Sequence, residues 1–143
     1  MSEERKAKIR RVMEEVYNKG NVEAMDDLYD ANITRSASPL PALDGIEAYK
    51  QGVASLFDIY SDIQVAVDDV ICEGDTCTAR FTLQLTHTGY HPLADLEPTG
   101  KRVTLTACNV SQWVNGQIVK EWTYADYLGL FQQLGAAPPL GQG

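Results

Sequence analysis

The feature that most constrains the fold begins near Asp62, where apolar residues change from helical spacing to strict alternation. Four alternating stretches follow: "IQVAVDDVIC", "TCTARFTLQLTH", "RVTLTACNVSQWV" and "QIVKEWTYA". Alternation sends successive side chains to opposite faces, so each stretch predicts a strand with one buried face. An "EGD" turn joins the first pair, and Asn115 with Gly116 is a strong hairpin signal between the last pair. Antiparallel pairing is therefore expected.

The chain before these strands shows helical patterning. A first helix is predicted from about Glu3 to Asn18, with one apolar face formed by Ile9, Val12, Met13, Val16 and Tyr17. A short second helix is predicted next, with an apolar face formed by Val22, Met25 and Tyr29. The stretch "DANITRSASPLPALDG" contains several breakers and is predicted to be irregular.

Asp44 and Glu47 have the spacing of a capping box, which predicts that a third helix begins there. Its inward face is formed by Ile46, Tyr49, Val53, Leu56 and Phe57. A closing helix, "YLGLFQQLG", follows the last strand, and residues 136–143 are predicted to form a tail prone to disorder. Helices segregated from an antiparallel sheet define an α+β fold.

We therefore predict a single domain over residues 1–143. A sheet that curves over the N-terminal helices forms a cone-shaped α+β barrel with a pocket, which is a common site for a small ligand. The apolar fraction of 44% is sufficient for a packed core. The net charge of −8 argues against a nucleic-acid partner and against an anionic membrane surface.

The N-terminal stretch "MSEERKAKIR" lacks the apolar region of a secretory signal, and no apolar run is long enough to span a bilayer. A cytoplasmic location is therefore expected. The number of cysteines is odd and their spacing suits no zinc motif. Cys72 and Cys77 flank the turn "EGDT" and can face each other across it. The geometry of the hairpin allows a disulfide between them, although a reducing cytosol disfavours it.

Strand parity predicts which side chains face the pocket. The apolar row of the second strand ends at His87, and Asn109 and Ser111 interrupt the apolar row of the third strand. A buried, unpaired amide costs about 1–3 kcal/mol. Asn109 is therefore expected to contact either a protein partner or a ligand.

Trp122, Tyr124 and Asp126 alternate along the last strand and are predicted to point into the pocket together. One interpretation is that Asp126 acts on a ligand. The other is that Asp126 caps the final helix, because Asp is favoured at that position. His87 and Asn109 also have structural interpretations. In these, His87 is hydrogen-bonded to a loop, and Asn109 is a core amide whose hydrogen bonds are made within the protein.

Five segments together resemble the SnoaL-like polyketide cyclases: "NKGNVEAMDDLY", "GIEAYK", "LTHTGYH…EPTGKRV", "NGQIVKEW" and "DYLGLFQQLG". This family belongs to the nuclear-transport-factor-two-like and ketosteroid-isomerase-like superfamily. The resemblance extends from about residue 5 to residue 136. It implies a curved antiparallel sheet whose helices close a deep pocket.

The resemblance also implies an intramolecular aldol ring closure of an aromatic polyketide, without metal or cofactor. Asp126 matches the acid/base of the family, and Asn109 matches a second polar pocket residue that is histidine in some cyclases. Tyr17 and Tyr124 match aromatic pocket residues, whereas Ser36 stands where many relatives carry histidine. The implied ligand is a small hydrophobic or aromatic polyketide-like molecule, and the implied assembly is a homodimer or homotetramer.

In the resulting hypothesis, Asp126 removes a proton from a carbon between two carbonyls, and the enolate attacks a second carbonyl of the same molecule. Asn109, His87 or Tyr124 then donates a hydrogen bond to the developing oxyanion. Substrate-binding roles are expected for Tyr17, His87, Trp122, Tyr124 and Ser111.

Other functions are compatible with the same pattern. Limonene-type epoxide hydrolases place an Arg and an Asp two positions apart on a central strand, but Arg80 is followed here by Phe81 and Thr82. An isomerase or dehydratase acting on a small carbonyl compound remains open. A non-catalytic ligand-binding dimer is also compatible with the sequence, and such a dimer packs through the polar strand face with Arg80, Thr82 and Gln84.

Overall fold

The structure is a computed structural model, and it describes residues 2–137. Residues 138–143, most of the predicted tail, lie outside the described part. The helical elements are α1 (Ser2–Met13), a π-helical turn (Glu14–Asn18), a 3-10 helix (Val22–Asp27), α2 (Ile46–Ile59) and α3 (Tyr127–Leu134). The strands are β1 (Tyr29–Ala37), β2 (Leu40–Asp44), β3 (Tyr60–Glu73), β4 (Thr76–His87), β5 (Arg102–Val114) and β6 (Gln117–Ala125).

The six strands form one curved, unclosed sheet in the order β2-β1-β6-β5-β4-β3. Neighbouring strands are antiparallel except for β1 and β6, which run parallel. The predicted α+β class, with a curved sheet and helices, is confirmed. The helices contact the concave side of the sheet and enclose an interior between the two layers.

The prediction of an irregular segment before the third helix is wrong, because that segment forms β1 and β2. Tyr29 starts β1 rather than closing a helix. Tyr29, Ile33 and Ala37 are buried, but the intervening inward position is Arg35, which is only half-buried. This charged residue interrupts the apolar alternation that would have indicated a strand.

The predicted inward faces of the first helix and of α2 are confirmed. The predicted face of the first helix packs on the core, with four residues buried and Tyr17 half-buried. In α2, Ile46, Tyr49 and Val53 are buried, and Leu56 and Phe57 pack against them. The predicted capping box is wrong: Gly45 is the N-cap and no side chain caps this end of the helix. Gly45 has a φ of 88°, which a side chain at that position would disfavour.

Strand parity holds in β4 and β5. The predicted inward row of β4 is buried from Cys77 to His87, and that of β5 is buried from Val103 to Trp113. Cys72 and Cys77 are directly opposite each other across the β3–β4 hairpin and are joined by a disulfide. The remaining thiol, Cys108, is free.

Parity fails in β6. Trp113 of β5 pairs with Ile118, but Gln112 pairs with Lys120, so Val119 is an extra residue that forms a β-bulge. An inserted residue moves every later side chain to the other face. The prediction that Trp122 and Tyr124 point into the pocket is therefore wrong.

No helix among the described residues is long and apolar enough to cross a membrane.

The packing of β1 on the core leads to a matched test with two isoleucines. Ile33 in β1 is 0% exposed and Ile71 in β3 is 64% exposed. Ile33→Ala should lower the free energy of unfolding by about 2–5 kcal/mol, because it leaves a cavity. Ile71→Ala should change it by no more than about 0.5 kcal/mol. Urea denaturation measures both, and equal losses would contradict the placement of β1 in the core.

Candidate functional site

The bulge in β6 turns a carboxylate into the interior of the cone. Beyond Val119, the inward residues of β6 are Glu121 and Thr123, which are 1% and 6% exposed. On the neighbouring strand they face Ser111 and Asn109 respectively. Charged side chains are rarely buried so completely unless they are paired, so Glu121 is the most unusual group in the interior.

Two tyrosine hydroxyls hold the Glu121 carboxylate. Tyr49 of α2 donates to Oε1 at 2.5 Å, and Tyr29 at the start of β1 donates to Oε2 at 3.1 Å. The two hydroxyl oxygens are 3.3 Å apart, and the rings pack with centroids 4.9 Å apart. Three elements of the fold thus fix one buried carboxylate.

Arg35 lies beside this group. It pairs with Glu121 in the parallel register of β1 and β6, which places both residues on the same face of the sheet. Its guanidinium lies over the Tyr49 ring, 5.0 Å from the centroid. Arg35 Nε is buried and has no hydrogen-bond partner among the described residues.

Burial controls the titration of this cluster. Desolvation raises the pKa of Glu121 above its ordinary value, although the Tyr49 hydrogen bond, the Arg35 charge and the Tyr29 hydrogen bond oppose the rise. Burial also raises the pKa of Tyr29 and of Tyr49 well above the usual value for tyrosine. The tyrosines are therefore neutral donors, and the carboxyl is a stronger base than an exposed glutamate.

Little space remains next to the carboxylate. An interior cavity of only about 10 Å³ is lined by residues that include Tyr17, Tyr29 and Tyr49. An open groove of about 910 Å³ lies outside it, lined by residues that include Tyr17, Lys19 and Arg102. Tyr17 lines both spaces and therefore separates the groove from the interior.

Tyr17 lies on the π-helical turn that follows α1. Such turns are uncommon and are found frequently at functional sites. Burial raises the pKa of Tyr17 to about 12, with Arg35 lowering it and Glu121 and Tyr127 raising it. The electrostatic contact with Arg35 and Glu121 connects Tyr17, a predicted pocket residue, to the carboxylate cluster.

The two polar residues predicted on β5 differ in availability. Asn109 faces the interior and is 9% exposed, and its side-chain amide makes no hydrogen bond to the described residues. Ser111 is already used within the protein: its hydroxyl accepts from Trp113 Nε1 at 2.9 Å and donates to the Cys77 carbonyl at 3.3 Å. The Asn109 amide is therefore unpaired, whereas Ser111 supports the core.

The three residues predicted at the end of β6 lie away from the interior. Tyr124 is 62% exposed, and Trp122 lies on the outer face with Lys120 stacked 5.1 Å from its ring centroid. Asp126 is exposed and caps α3, accepting a hydrogen bond from Gly129 N at 2.8 Å. A side chain at Gly129 would meet this carboxylate, since a Cβ there would lie 2.2 Å from Asp126 Oδ2.

His87 belongs to a separate buried group near α3. Its Nδ1 accepts the backbone N–H of Thr99 at 3.1 Å, so the neutral ring carries its proton on Nε2. Its ring lies 5.8 Å from that of Tyr60 and 6.3 Å from that of His91. Burial lowers the pKa of His91, with the nearby His87 adding to the effect. This group does not contact Glu121 in any recorded hydrogen bond.

Sequence reasoning missed four residues of the carboxylate cluster as functional candidates: Tyr29, Arg35, Tyr49 and Glu121. Tyr29 and Tyr49 fall on predicted helix faces, and Arg35 lies in the stretch predicted to be irregular. A bulge is not visible in strand parity, which predicts instead that Trp122 and Tyr124 face the pocket. The signal in the sequence is Lys120, a charged residue within the row of Ile118, Trp122 and Tyr124 that strand parity predicts to face the pocket.

Among the described residues there is no group of three or more His, Cys, Asp or Glu side chains that could hold a metal ion. The interior instead contains the carboxylate of Glu121, the neutral hydroxyl donors of Tyr29 and Tyr49, the guanidinium of Arg35 and the unpaired amide of Asn109. These groups can bind, take up and return a proton and stabilise an oxygen with developing negative charge.

A curved sheet, a helical layer and a polar interior define the nuclear-transport-factor-two-like class of α+β folds. The chain belongs to the SnoaL-like polyketide cyclase family, whose model matches residues 7–134. This membership places it among small-molecule pocket enzymes. Comparison with curated proteins found no match.

Solved structures share the fold. AclR from Streptomyces galilaeus is 21% identical, with a TM-score of 0.85 and coverage of 96% of this chain and 100% of that chain. TsrD from Streptomyces laurentii is 26% identical, with a TM-score of 0.79 and coverage of 91% and 96%. An LEH-like epoxide hydrolase from M. tuberculosis is 13% identical, with a TM-score of 0.70 and coverage of 93% and 90%.

The raised pKa of Glu121 predicts a pH-dependent contribution to stability. The folded protein holds this proton more tightly than the unfolded chain. The contribution is therefore complete below the ordinary pKa of glutamate and is lost as pH rises through the folded pKa. Glu121→Gln lacks this dependence, so the stability of the wild type relative to that variant should fall as pH rises from the ordinary glutamate value of 4.5 through the raised folded pKa.

Urea denaturation across that range measures the difference. Exposed Glu73→Gln is the control and should show no comparable trend. A constant difference for Glu121→Gln, or one that grows in favour of the wild type as pH rises, would contradict the raised pKa.

Proposed function

We propose that this protein catalyses cofactor-free acid/base chemistry on a small polyketide-like carbonyl compound, with Glu121 as the acid/base. The observation that carries the proposal is a single buried carboxylate, held by the Tyr29 and Tyr49 hydroxyls inside the cone. Burial in an apolar surround brings a carboxyl closer to the pKa that suits proton transfer near neutral pH. The family match supports a polyketide-like substrate.

The proposed reaction is an intramolecular aldol closure. Glu121 takes a proton from a carbon between two carbonyls, and the C–H electron pair becomes the enolate. The enolate carbon attacks a second carbonyl of the same molecule, forming a C–C bond while the carbonyl π electrons move to oxygen. The protonated Glu121 carboxyl returns its proton to that oxygen, so the product is an isomer of the substrate.

Asn109 is the proposed partner of the oxygen on which charge develops. Its amide faces the same interior as Glu121 and has no hydrogen bond to the described residues, so a donor is free. A preorganised donor at the oxyanion is worth about 10²–10³ in rate. The aromatic walls contributed by Tyr17, Tyr29 and Tyr49 would keep a flexible polyketone folded near its reactive geometry.

We propose that substrate enters from the groove, because the interior cavity lined by Tyr29 and Tyr49 is too small for it. Tyr17 lies between the two spaces and is only half-buried. Rotation of its side chain on the π-helical turn would join the groove to the carboxylate. We therefore propose that Tyr17 binds substrate at the entrance.

Asp126 remains the rival acid/base, because the family resemblance points to it. Its exposed carboxylate caps α3, and Asn caps a helix about as well as Asp. Asp126→Asn should therefore keep the activity and the fold. Glu121→Gln keeps the shape of the side chain but cannot take a proton, so it should lower the rate about 10²–10⁴-fold.

Both variants can be assayed with aromatic polyketones related to anthraquinone precursors, by following ring closure chromatographically. The matched pair separates the two carboxylates, because each change replaces one acid with its amide. A large loss in Asp126→Asn with full activity in Glu121→Gln would overturn the assignment of Glu121.

A second candidate function is ligand binding without catalysis. The observation that favours it is that both oxygens of the Glu121 carboxylate already accept a tyrosine hydroxyl, so neither is free to take a proton from a ligand. A binding protein would retain an aromatic polyketone without converting it, and Glu121→Gln would not change the fate of the bound compound. Calorimetry combined with product analysis distinguishes the two functions.

We also propose that the protein forms a homodimer through the outer face of the sheet. Tyr124 and Val114 are 62% and 54% exposed there, and Trp122 pairs with Val110 on the same face. Exposed apolar groups in one area indicate an interaction surface, and two identical copies would meet by two-fold symmetry.

Sedimentation should show twice the chain mass of 15.8 kDa. Tyr124→Glu should shift the protein toward the monomer, because it adds a charge to this face. Leu93→Glu is the control, since Leu93 is 64% exposed in a loop away from the sheet. A monomeric wild type, or equal effects of the two changes, would exclude this interface.

A further inference from the structure

Arg35 is a cation without an evident partner. Its Nε is buried, and the guanidinium makes no hydrogen bond or ion pair with any described residue. The other five arginines each donate at least one hydrogen bond, as Arg80 does to Asp69 and Arg102 to Thr86. Its guanidinium instead stacks on the Tyr49 ring.

Glu121 does not fill the role of partner. Its two oxygens accept the Tyr49 and Tyr29 hydroxyls, and no ion pair joins it to Arg35 within the described chain. The electrostatic interaction between the two residues is still present, since the Arg35 charge lowers the pKa of Glu121 against the effect of burial. The guanidinium thus balances the charge of the interior while its donors stay free.

A buried Nε–H without a hydrogen bond is unfavourable, because the desolvation of this donor is not compensated. Its planar donors match the two oxygens of a carboxylate and bind them in a bidentate manner. Tyr17 and Tyr127 lie within electrostatic reach of Arg35 and surround it with neutral aromatic groups. These surroundings lower the local dielectric constant and therefore strengthen an ion pair that forms there.

We propose that Arg35 binds a carboxylate group of the ligand, so that the substrate is a keto acid rather than a neutral ketone or ester. This inference rests on the proposed function, because it extends the same interior site. Arg35 and Glu121 are register partners on adjacent strands. A ligand carboxylate on Arg35 would therefore hold the neighbouring carbonyl carbons next to the Glu121 carboxyl.

The keto acid benzoylpropionate and its methyl ester test the proposal, because they differ only in the charged group. Wild type should bind the acid at least about tenfold more tightly than the ester, the effect of one charge-assisted hydrogen bond or more. Arg35→Gln should lose that preference while keeping its affinity for the ester. Arg80→Gln is the matched control, since Arg80 is exposed and paired with Asp69.

Two further measurements keep the outcome clear. The side-chain Nε–H signal of Arg35, assigned by its absence in Arg35→Gln, should move when the acid is added and stay in place with the ester. If Arg35→Gln does not fold, Arg35→Lys is used. It keeps the positive charge beside Glu121 but loses the planar fork of donors, so it should weaken the preference for the acid.

The binding preference is also measured in Glu121→Gln, which separates this proposal from the catalytic one. A preference that persists there supports an anion subsite at Arg35 whether or not Glu121 is the base. Equal affinity of wild type for acid and ester, no measurable binding of the acid at millimolar concentration, or an unchanged preference in Arg35→Gln would overturn the proposal.

Discussion

The extra residue Val119 in β6 decides which carboxylate enters the interior of the cone. Without this bulge, Lys120 and Trp122 would face the helices and Glu121 would lie on the outer face. With it, Glu121 meets the hydroxyls of Tyr29 and Tyr49, which come from the first strand and from α2. Bulges commonly re-aim side chains beside active sites, and this one converts an apolar wall into a polar interior.

Once the carboxylate is buried, the rest of the cluster follows from its energetic cost. An isolated ionised carboxyl inside an apolar core would be strongly unfavourable, so it requires donors and a nearby positive charge. The two tyrosines supply the donors and Arg35 supplies the charge. The arrangement leaves the carboxyl with a raised pKa and leaves the guanidinium donors free. Both properties suit a site that binds and deprotonates a small acidic ketone.

Most of the fold could be predicted from the sequence because most of it obeys simple periodicity. The buried rows of β4 and β5, the face of α1 and the inward face of α2 all followed from spacing alone. The failures have physical causes at the site itself. β1 was not predicted as a strand, because Arg35 is a charged inward residue that breaks the apolar alternation. The inward face of β6 was predicted wrongly beyond Val119, because alternation alone does not reveal an inserted residue. Local rules are expected to fail where function imposes a different requirement.

The central claim is that Glu121 is an interior carboxyl with a raised pKa, poised to exchange a proton. Carbon-13 NMR of glutamate-labelled protein tests it most directly, with the Glu121 side-chain carboxyl assigned by its absence in Glu121→Gln. The account predicts that this resonance titrates above the ordinary glutamate value of 4.5 and shifts when an aromatic keto acid binds. Titration at or below that value, with no response to ligand, would contradict the account.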